Sequence, residues 1–378
     1  MKKLFWISII ALILFEAANV YFIMPMPGSQ DMNSLDLAYF LNKWRWAFRI
    51  LCVFGIAYGW YKSNWKRAWV PFIPLVPLIA AIYMANFDMA ADQMFQQPRH
   101  VIFKDSIGNQ VDSNRQVLGV VINNVAKAYP IRFMGYHHHL LDTVGGKPIM
   151  VTYCTVCRTG RIYEPIVNGK QEKFRLVGMD HFNAMLEDAT TKSWWRQVTG
   201  EAVAGPLKGQ QLPEIIGIQS SLSAWIKMYP NTLILQADST YIEEYGTSTN
   251  YETGKSRKQL TGTDSLSWKR KSWVVGVIAY DHPKAYDWNR LKTERIIHDQ
   301  IKGTPVLVLV AKDTIGFFAF ERPDSNAIFT LNENVLSLNN HHFTINGKGI
   351  DTTMNLKPLP AYQEFWHSWS YFHPYTER

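Results

Sequence analysis

Gly-Val-Val-Ile-Asn-Asn-Val-Ala-Lys-Ala-Tyr, residues 119–129, returns as Gly-Val-Ile-Ala-Tyr-Asp-His-Pro-Lys-Ala-Tyr, residues 276–286. Working outward at the same displacement, Asp142 falls on Asp299, Pro148 on Pro305 and Glu164 on Glu321. Further on the displacement shortens, and Trp225, Pro230 and Thr232 match Trp369, Pro374 and Thr376. Units of this length exceed the roughly 20–50-residue period of solenoids. The expectation is therefore one duplicated domain whose two copies pack together. At the first displacement Cys154 meets Ala311 and Cys157 meets Thr314. A cysteine pair present in one copy only is not required by the shared scaffold, so Tyr-Cys-Thr-Val-Cys-Arg, residues 153–158, is where chemistry is sought.

Val117–Ile122 and Lys147–Tyr153 are rich in β-branched residues and bounded by Asn, Gly and Pro, which predicts strands. Phe133–Asp142 between them reads as a short helix. The second copy repeats this order as Trp273–Tyr280, Asn289–Asp299 and Thr304–Val310. Ser221–Tyr229 reads as a capped helix ended by Pro230, and Thr232–Gln236 as a strand. The polar stretch 243–266 shows no periodicity and reads as the junction between copies. Strands outnumber helices, so the expected class is α+β, predominantly β.

The N-terminal region is different. Residues 4–24 carry Glu16 as their one charge and are long enough to cross about 30 Å of hydrocarbon. Residues 46–61 and 68–87 read as two more spans, the last with Pro71, Pro74 and Pro77. Prolines are tolerated in such helices where neighbours re-satisfy the freed carbonyls. About three transmembrane helices are expected, giving a membrane region and linker over 1–96, a first repeat half over 97–250 and a second, degenerate half over 251–378. Lys2 and Lys3, and Lys62, Lys66 and Arg67, mark the cytoplasmic flanks. Three spans then put everything after Asp88 on the far side.

The net charge of +8 is spread without a basic run of the kind that marks a nucleic-acid footprint, so nucleic acid is excluded as a partner and the lipid bilayer is expected. No phosphate-binding loop, dinucleotide glycine fingerprint, nucleophile elbow or zincin helix occurs, which disfavours nucleotide-dependent and metalloprotease chemistry. Of three cysteines, Cys52 falls inside an expected span. Cys154 and Cys157 remain.

Val-Thr-Tyr-Cys-Thr-Val-Cys-Arg-Thr-Gly at 151–160, Ser193-Trp194-Trp195, Gly200-Glu201-Ala202-Val203-Ala204-Gly205-Pro206-Leu207, and Trp225 with Tyr229-Pro230-Asn231-Thr232 together resemble the bacterial domain-of-unknown-function family DUF3179. The likeness covers roughly residues 97–376 and brings no established activity. Some relatives carry selenocysteine in the motif matching Cys154-x-x-Cys157, and the resemblance thereby implies redox chemistry. His137 and Asp142 fit the family pattern, while His138 and Leu141 depart from it. A bacterial chain of this layout is expected in the inner membrane as a multi-pass protein, with its C-terminal domain periplasmic or extracytoplasmic.

Four readings of the pair stay open. As a redox couple, one thiolate attacks and its neighbour resolves, exchanging with an envelope protein or a small-molecule redox partner. Cys154 is expected to attack, and Arg158, with Arg161 beyond it, to depress a thiolate pKa. His181 and Asp188 are candidate acid-base groups. As a metal site for copper or zinc, the two thiolates need further ligands, of which His137 is the first choice in His137-His138-His139. No cofactor is required by the sequence. A structural disulfide closing so short a loop contributes only about 2 kcal/mol in the chain-entropy account. Packed thiols in a non-catalytic envelope scaffold complete the set, with Trp194, Trp195, Trp225, Trp366 and Trp369 supplying aromatic surface or core.

Overall fold

The computed structural model describes residues 1–246 and 249–378 of a mixed α+β chain. It divides into two compact units: unit 1 comprises 1–96, 172–196 and 201–211, and unit 2 comprises 97–171, 197–200 and 212–378.

In unit 1, helices α1 (Lys2–Tyr21), α2 (Leu35–Tyr61) and α3 (Leu75–Tyr83) pack together. Two segments, Lys2–Tyr21 and Val70–Asp88, are long and apolar enough to cross a membrane. This corrects the expected count of three. Residues 46–61 are instead the end of the 27-residue α2, whose Lys43, Arg45 and Arg49 lower its mean hydropathy. With two such helices the odd-number argument for a far-side C-terminal domain no longer follows from hydropathy.

Gly55 and Gly59 let α2 approach α1 closely, since a Cβ at either would overlap Ser8 or the backbone of Phe5. The outward side chains of the bundle, such as Ile10, Leu14, Leu51, Phe54 and Ile79, are apolar. Its interior holds a polar knot: Arg49 donates to both Glu16 carboxylate oxygens at 2.7 and 2.8 Å and to Asn86 Oδ1 at 2.7 Å. The unit also contains a four-stranded sheet ordered Ala202–Ala204, Trp194–Arg196, Asn183–Asp188, Phe174–Asp180. Ile23 O accepts Met179 N–H at 2.7 Å, so close to Gly178 (φ +151°) that a Cβ there would collide with that carbonyl.

In unit 2, Gln116–Ile122 pairs antiparallel with Val125–Pro130 through Asn123-Asn124. Both turn residues have positive φ, the signature of the tight hairpin whose twist matches the strands. Ile218–Ser221 and Leu233–Leu235 flank this pair. Helix Ile131–His137 follows, then His139–Val144, Lys147–Cys154 and Thr159–Tyr163 in a second sheet. After the junction come Trp273–Ala279 and His282–Asp287, joined by Tyr280-Asp281 again at positive φ. Helix Trp288–Glu294 and the strands Ile296–Ile301, Thr304–Val310 and Phe317–Glu321 then follow in the same order.

Both helices begin and stop earlier than expected. His138 (φ +63°) and Arg295 (φ +61°) end them, and the residues read as helix beyond, up to Asp142 and Asp299, belong to the strands His139–Val144 and Ile296–Ile301. The junction is also more ordered than its polarity suggests. Helices Ile242–Gly246 and Thr249–Glu252 are anchored by buried Tyr245 and Tyr251, while Thr247 and Ser248 lie outside the described residues.

Two tryptophans tie helix to sheet. Trp225 lies flat on Gly119 and donates to Thr232 Oγ1 at 2.8 Å; Trp369 lies flat on Gly276 and donates to Thr376 Oγ1 at 2.8 Å. A Cβ at either glycine would overlap the indole. Full burial of such a side chain is worth about 5 kcal/mol, taking ~200 Å² at ~25 cal/mol/Å². Lys127 pairs with Asp142 at 2.9 Å and Lys284 with Asp299 at 2.8 Å.

Candidate functional site

Cys154 is the last residue of the strand Lys147–Cys154, and Cys157 lies in the four-residue turn that leads into Thr159–Tyr163. Arg158 closes the turn at φ +59°. The pair thus sits at the tip of a β-hairpin, against the start of the helix Trp366–Phe372, whose N-cap is Phe365. Both cysteines are thiols and both are fully buried.

The cation at this turn is Lys271. Its Nζ donates to Val156 O at 3.0 Å and Leu260 O at 2.6 Å, and lies 3.2 Å from His367 Nε2. His367 Nε2 also lies 3.2 Å from Val156 O, so Lys271 and His367 converge on the same carbonyl. Burial pushes the lysine down to about 8, while the Cys157 and Cys154 thiols act in the opposite direction. Burial and the Lys271 charge push His367 down to about 3, so its imidazole is neutral at pH 7. Cys157 O accepts Phe365 N–H at 2.8 Å, fixing the turn to the strand Ala361–Phe365.

The two arginines named from sequence take other partners. Arg158 is buried over the Trp273 ring at 3.5 Å and donates to Tyr251 O, Glu252 O and Gln363 Oε1. Arg161 pairs with the buried Glu364 at 2.5 Å. Both clamp the hairpin to the junction and to the strand Ala361–Phe365. Tyr153 and Tyr251 share a hydrogen bond of 2.9 Å beside Cys154.

The three histidines diverge. His137 Nε2 lies 2.6 Å from Tyr245 Oη among tyrosine rings, His138 Nδ1 bonds Tyr136 O, and His139 Nδ1 faces Gln97 Nε2. Burial pushes His138 down to about 4. Among the described residues no group of three or more His, Cys, Asp or Glu side chains is arranged to hold a metal ion.

His181 and Asp188 belong to unit 1, whereas Cys154, Cys157, Arg158 and His137 belong to unit 2. His181 pairs with Asp180, which also takes Arg196. Asp188 is buried and accepts from Thr191, Ser193 N and Trp195 Nε1, so it organises the turn before Trp194–Arg196.

Lys271 and His367 are the residues that sequence reasoning passed over. The available signal was the basic triplet Lys269-Arg270-Lys271 next to Ser272-Trp273, which reads equally well as solvated surface. No curated protein and no solved structure matches the chain. The model of the family described as protein of unknown function, DUF3179, matches residues 92–376, most of the chain including the cysteine hairpin and Lys271, and the chain belongs to that family.

Proposed function

We propose that Cys154 and Cys157 form a dithiol–disulfide couple that exchanges two electrons with a disulfide on an envelope protein or small molecule. The observation that carries this reading is the Lys271 ammonium, bonded to the carbonyl of Val156 between the two cysteines. An adjacent cation favours a thiolate over a thiol. With Lys271 on Val156 O and Phe365 N–H on Cys157 O, this reading assigns the first attack to Cys157, with Cys154 resolving.

The Cys157 thiolate attacks one substrate sulfur, and the other leaves as a thiolate that takes up a proton from water. The Cys154 thiol loses its proton to solvent and attacks the Cys157 sulfur, closing the protein disulfide and releasing the second substrate thiolate. The substrate gains two electrons and the dithiol loses two. Both thiols are buried, so exchange requires the turn to open.

The test is a titration of the purified full-length protein against glutathione buffers, read by alkylation and mass. A midpoint between about −120 and −270 mV supports the couple, and one below about −300 mV means a structural disulfide. Stoichiometric copper or zinc that is lost on Cys154→Ser would replace this reading with metal binding.

The same proposal includes multi-pass anchoring with unit 2 outside the cytoplasm. Support comes from the Glu16 and Asn86 partners of Arg49, which remove the principal cost of burying that charge in α2, and from the apolar outer face of the bundle. It also includes descent of unit 2 from a duplicated half. The repeated order of elements, the paired Trp-on-Gly contacts and the two Lys–Asp bridges support that reading.

A further inference from the structure

A second site lies on unit 2, apart from the cysteines. It is an open groove of about 990 Å³ between the helix Leu222–Met228, the turn after Thr304–Val310 and the meander of strands Thr330–Asn332, Val335–Leu338 and His341–Thr344. Its size exceeds that of a single small anion or monosaccharide and lies at the upper end of the range for small-ligand clefts.

The wall is rich in donors and positive. Lys227, Lys312 and Lys348 line it against one carboxylate, Asp313. Lys312 is paired with Glu333, and Asp313 accepts from Ser221 Oγ at 2.6 Å. Lys227 and Lys348 are left as the unneutralised ammonium groups among the described residues of the wall. Two asparagines add to this polarity. Asn334 Oδ1 accepts from Lys312 N and Asn355 Oδ1 from Gly349 N, so each amide offers its NH2 side as a donor. Tyr229, half-buried and packed on Trp225, contributes a ring to the floor. Ammonium groups, amide donors and an aromatic face suit a ligand of many oxygens with dispersed negative charge and apolar C–H faces.

We propose that this groove binds an acidic oligosaccharide, one carrying carboxylates along a chain of several sugars. The ammonium groups take the carboxylates, the asparagine amides take hydroxyl oxygens, and Tyr229 stacks on a sugar face. The site is independent of the thiol chemistry, and its failure would leave the redox reading untouched.

The experiment is isothermal titration of the full-length protein in detergent at low salt with tetragalacturonate. Neutral maltotetraose and inorganic phosphate are run as separate arms. Saturable binding of tetragalacturonate is expected, with affinity falling about tenfold for each of Lys227→Ala and Lys348→Ala, as for a charged hydrogen bond. Cys154→Ser should bind as the parent does. Three results would overturn the proposal: no binding of tetragalacturonate at millimolar concentration, equal binding of maltotetraose or phosphate, or unchanged affinity in the Lys227→Ala/Lys348→Ala double variant with its circular dichroism preserved.

Discussion

Replacing Lys271 tests both the electrostatics and the mechanics of the thiol turn. Its ammonium bonds Val156 O and Leu260 O, so Lys271→Met strips that donor from both, at a cost of about 1–3 kcal/mol at Leu260 O where it is buried, while His367 Nε2 stays 3.2 Å from Val156 O. Lys271→Gln keeps N–H donors and removes the charge, which separates the two effects. Losing the Lys271 charge should raise the reactive thiol's pKa, and about one unit, the low end of what a neighbouring opposite charge gives, is the expected shift. Each unit withdraws about 1.4 kcal/mol from the thiolate form, and the midpoint measured where the thiolate is populated should fall by about 30 mV. The lysine titrates near 8, so below that pH the parent protein holds the cation and its advantage over Lys271→Gln should be largest. The assays are the pH dependence of iodoacetamide alkylation under reducing conditions and the glutathione titration. Lys271→Arg should retain most of the effect. A Lys271→Gln protein whose thiol pKa moves by less than about 0.3 units and whose midpoint moves by less than about 10 mV would refute the assignment.

Gly276→Ala forces a methyl into the Trp369 indole and should cost about 3 kcal/mol, lowering Tm by about 5–10 °C in a thermal scan; an unchanged Tm would contradict the ring-on-strand contact. His138 is buried and pushed down to about 4, against about 6.5 in an unfolded chain, so the unfolded state binds the extra proton between those values and stability rises with pH across that window. Urea denaturation should show about 3 kcal/mol from this histidine fully present above pH 6.5 and lost as pH falls through 4, and His138→Asn, which tolerates the positive φ, should flatten that slope. A reporter enzyme active only outside the cytoplasm, fused after Arg378, should be active; activity confined to cytoplasmic reporters would remove the extracytoplasmic placement.

Much of unit 2 was legible because its signals are local. The strand limits around Gly119, Lys147, Gly276 and Thr304 follow from β-branched runs between turn residues, and the Ser221 cap is satisfied by Ala224 N. The helices at Ile131 and Trp288 were misplaced because the residues that stop them, His138 and Arg295, adopt a left-handed conformation that no glycine announces. The segments 172–196 and 201–211 were illegible as part of unit 1, since their partners Ile23, Gln30 and Tyr39 are more than a hundred residues away. The cysteine pair stood out in the sequence because the residues aligned with it, Ala311 and Thr314, carry no sulfur. Lys271, which bonds the carbonyl between them, did not. Arg158 and Arg161 are adjacent in sequence but fully engaged by Tyr251, Glu252 and Glu364, whereas Lys271 arrives from the far side of the junction.

The two hairpin turns that sequence alignment equates are held by opposite means, and this bears on why the sulfur turn depends on Lys271. In the turn after Val310, Asp313 accepts Ile315 N and Gly316 N through its own carboxylate, and Ser221 Oγ donates to its other oxygen. That turn carries its own acceptor and stands open beside the groove. In the turn after Cys154 the corresponding residue is Val156, which has no side-chain acceptor, and the turn is held from outside by Lys271 and His367 at Val156 O and by Phe365 N on Cys157 O. In the proposed couple, the group that would favour the thiolate is thus also one of those that hold the turn. Under the proposed redox reading, oxidation of the pair would remove the negative charge that favours the Lys271 cation and so weaken one of those restraints. A turn built like that at Asp313, clasped by its own carboxylate, would place a fixed negative charge beside the thiols and oppose thiolate formation. An apolar residue between the cysteines and a lysine supplied by a distant segment avoid that conflict.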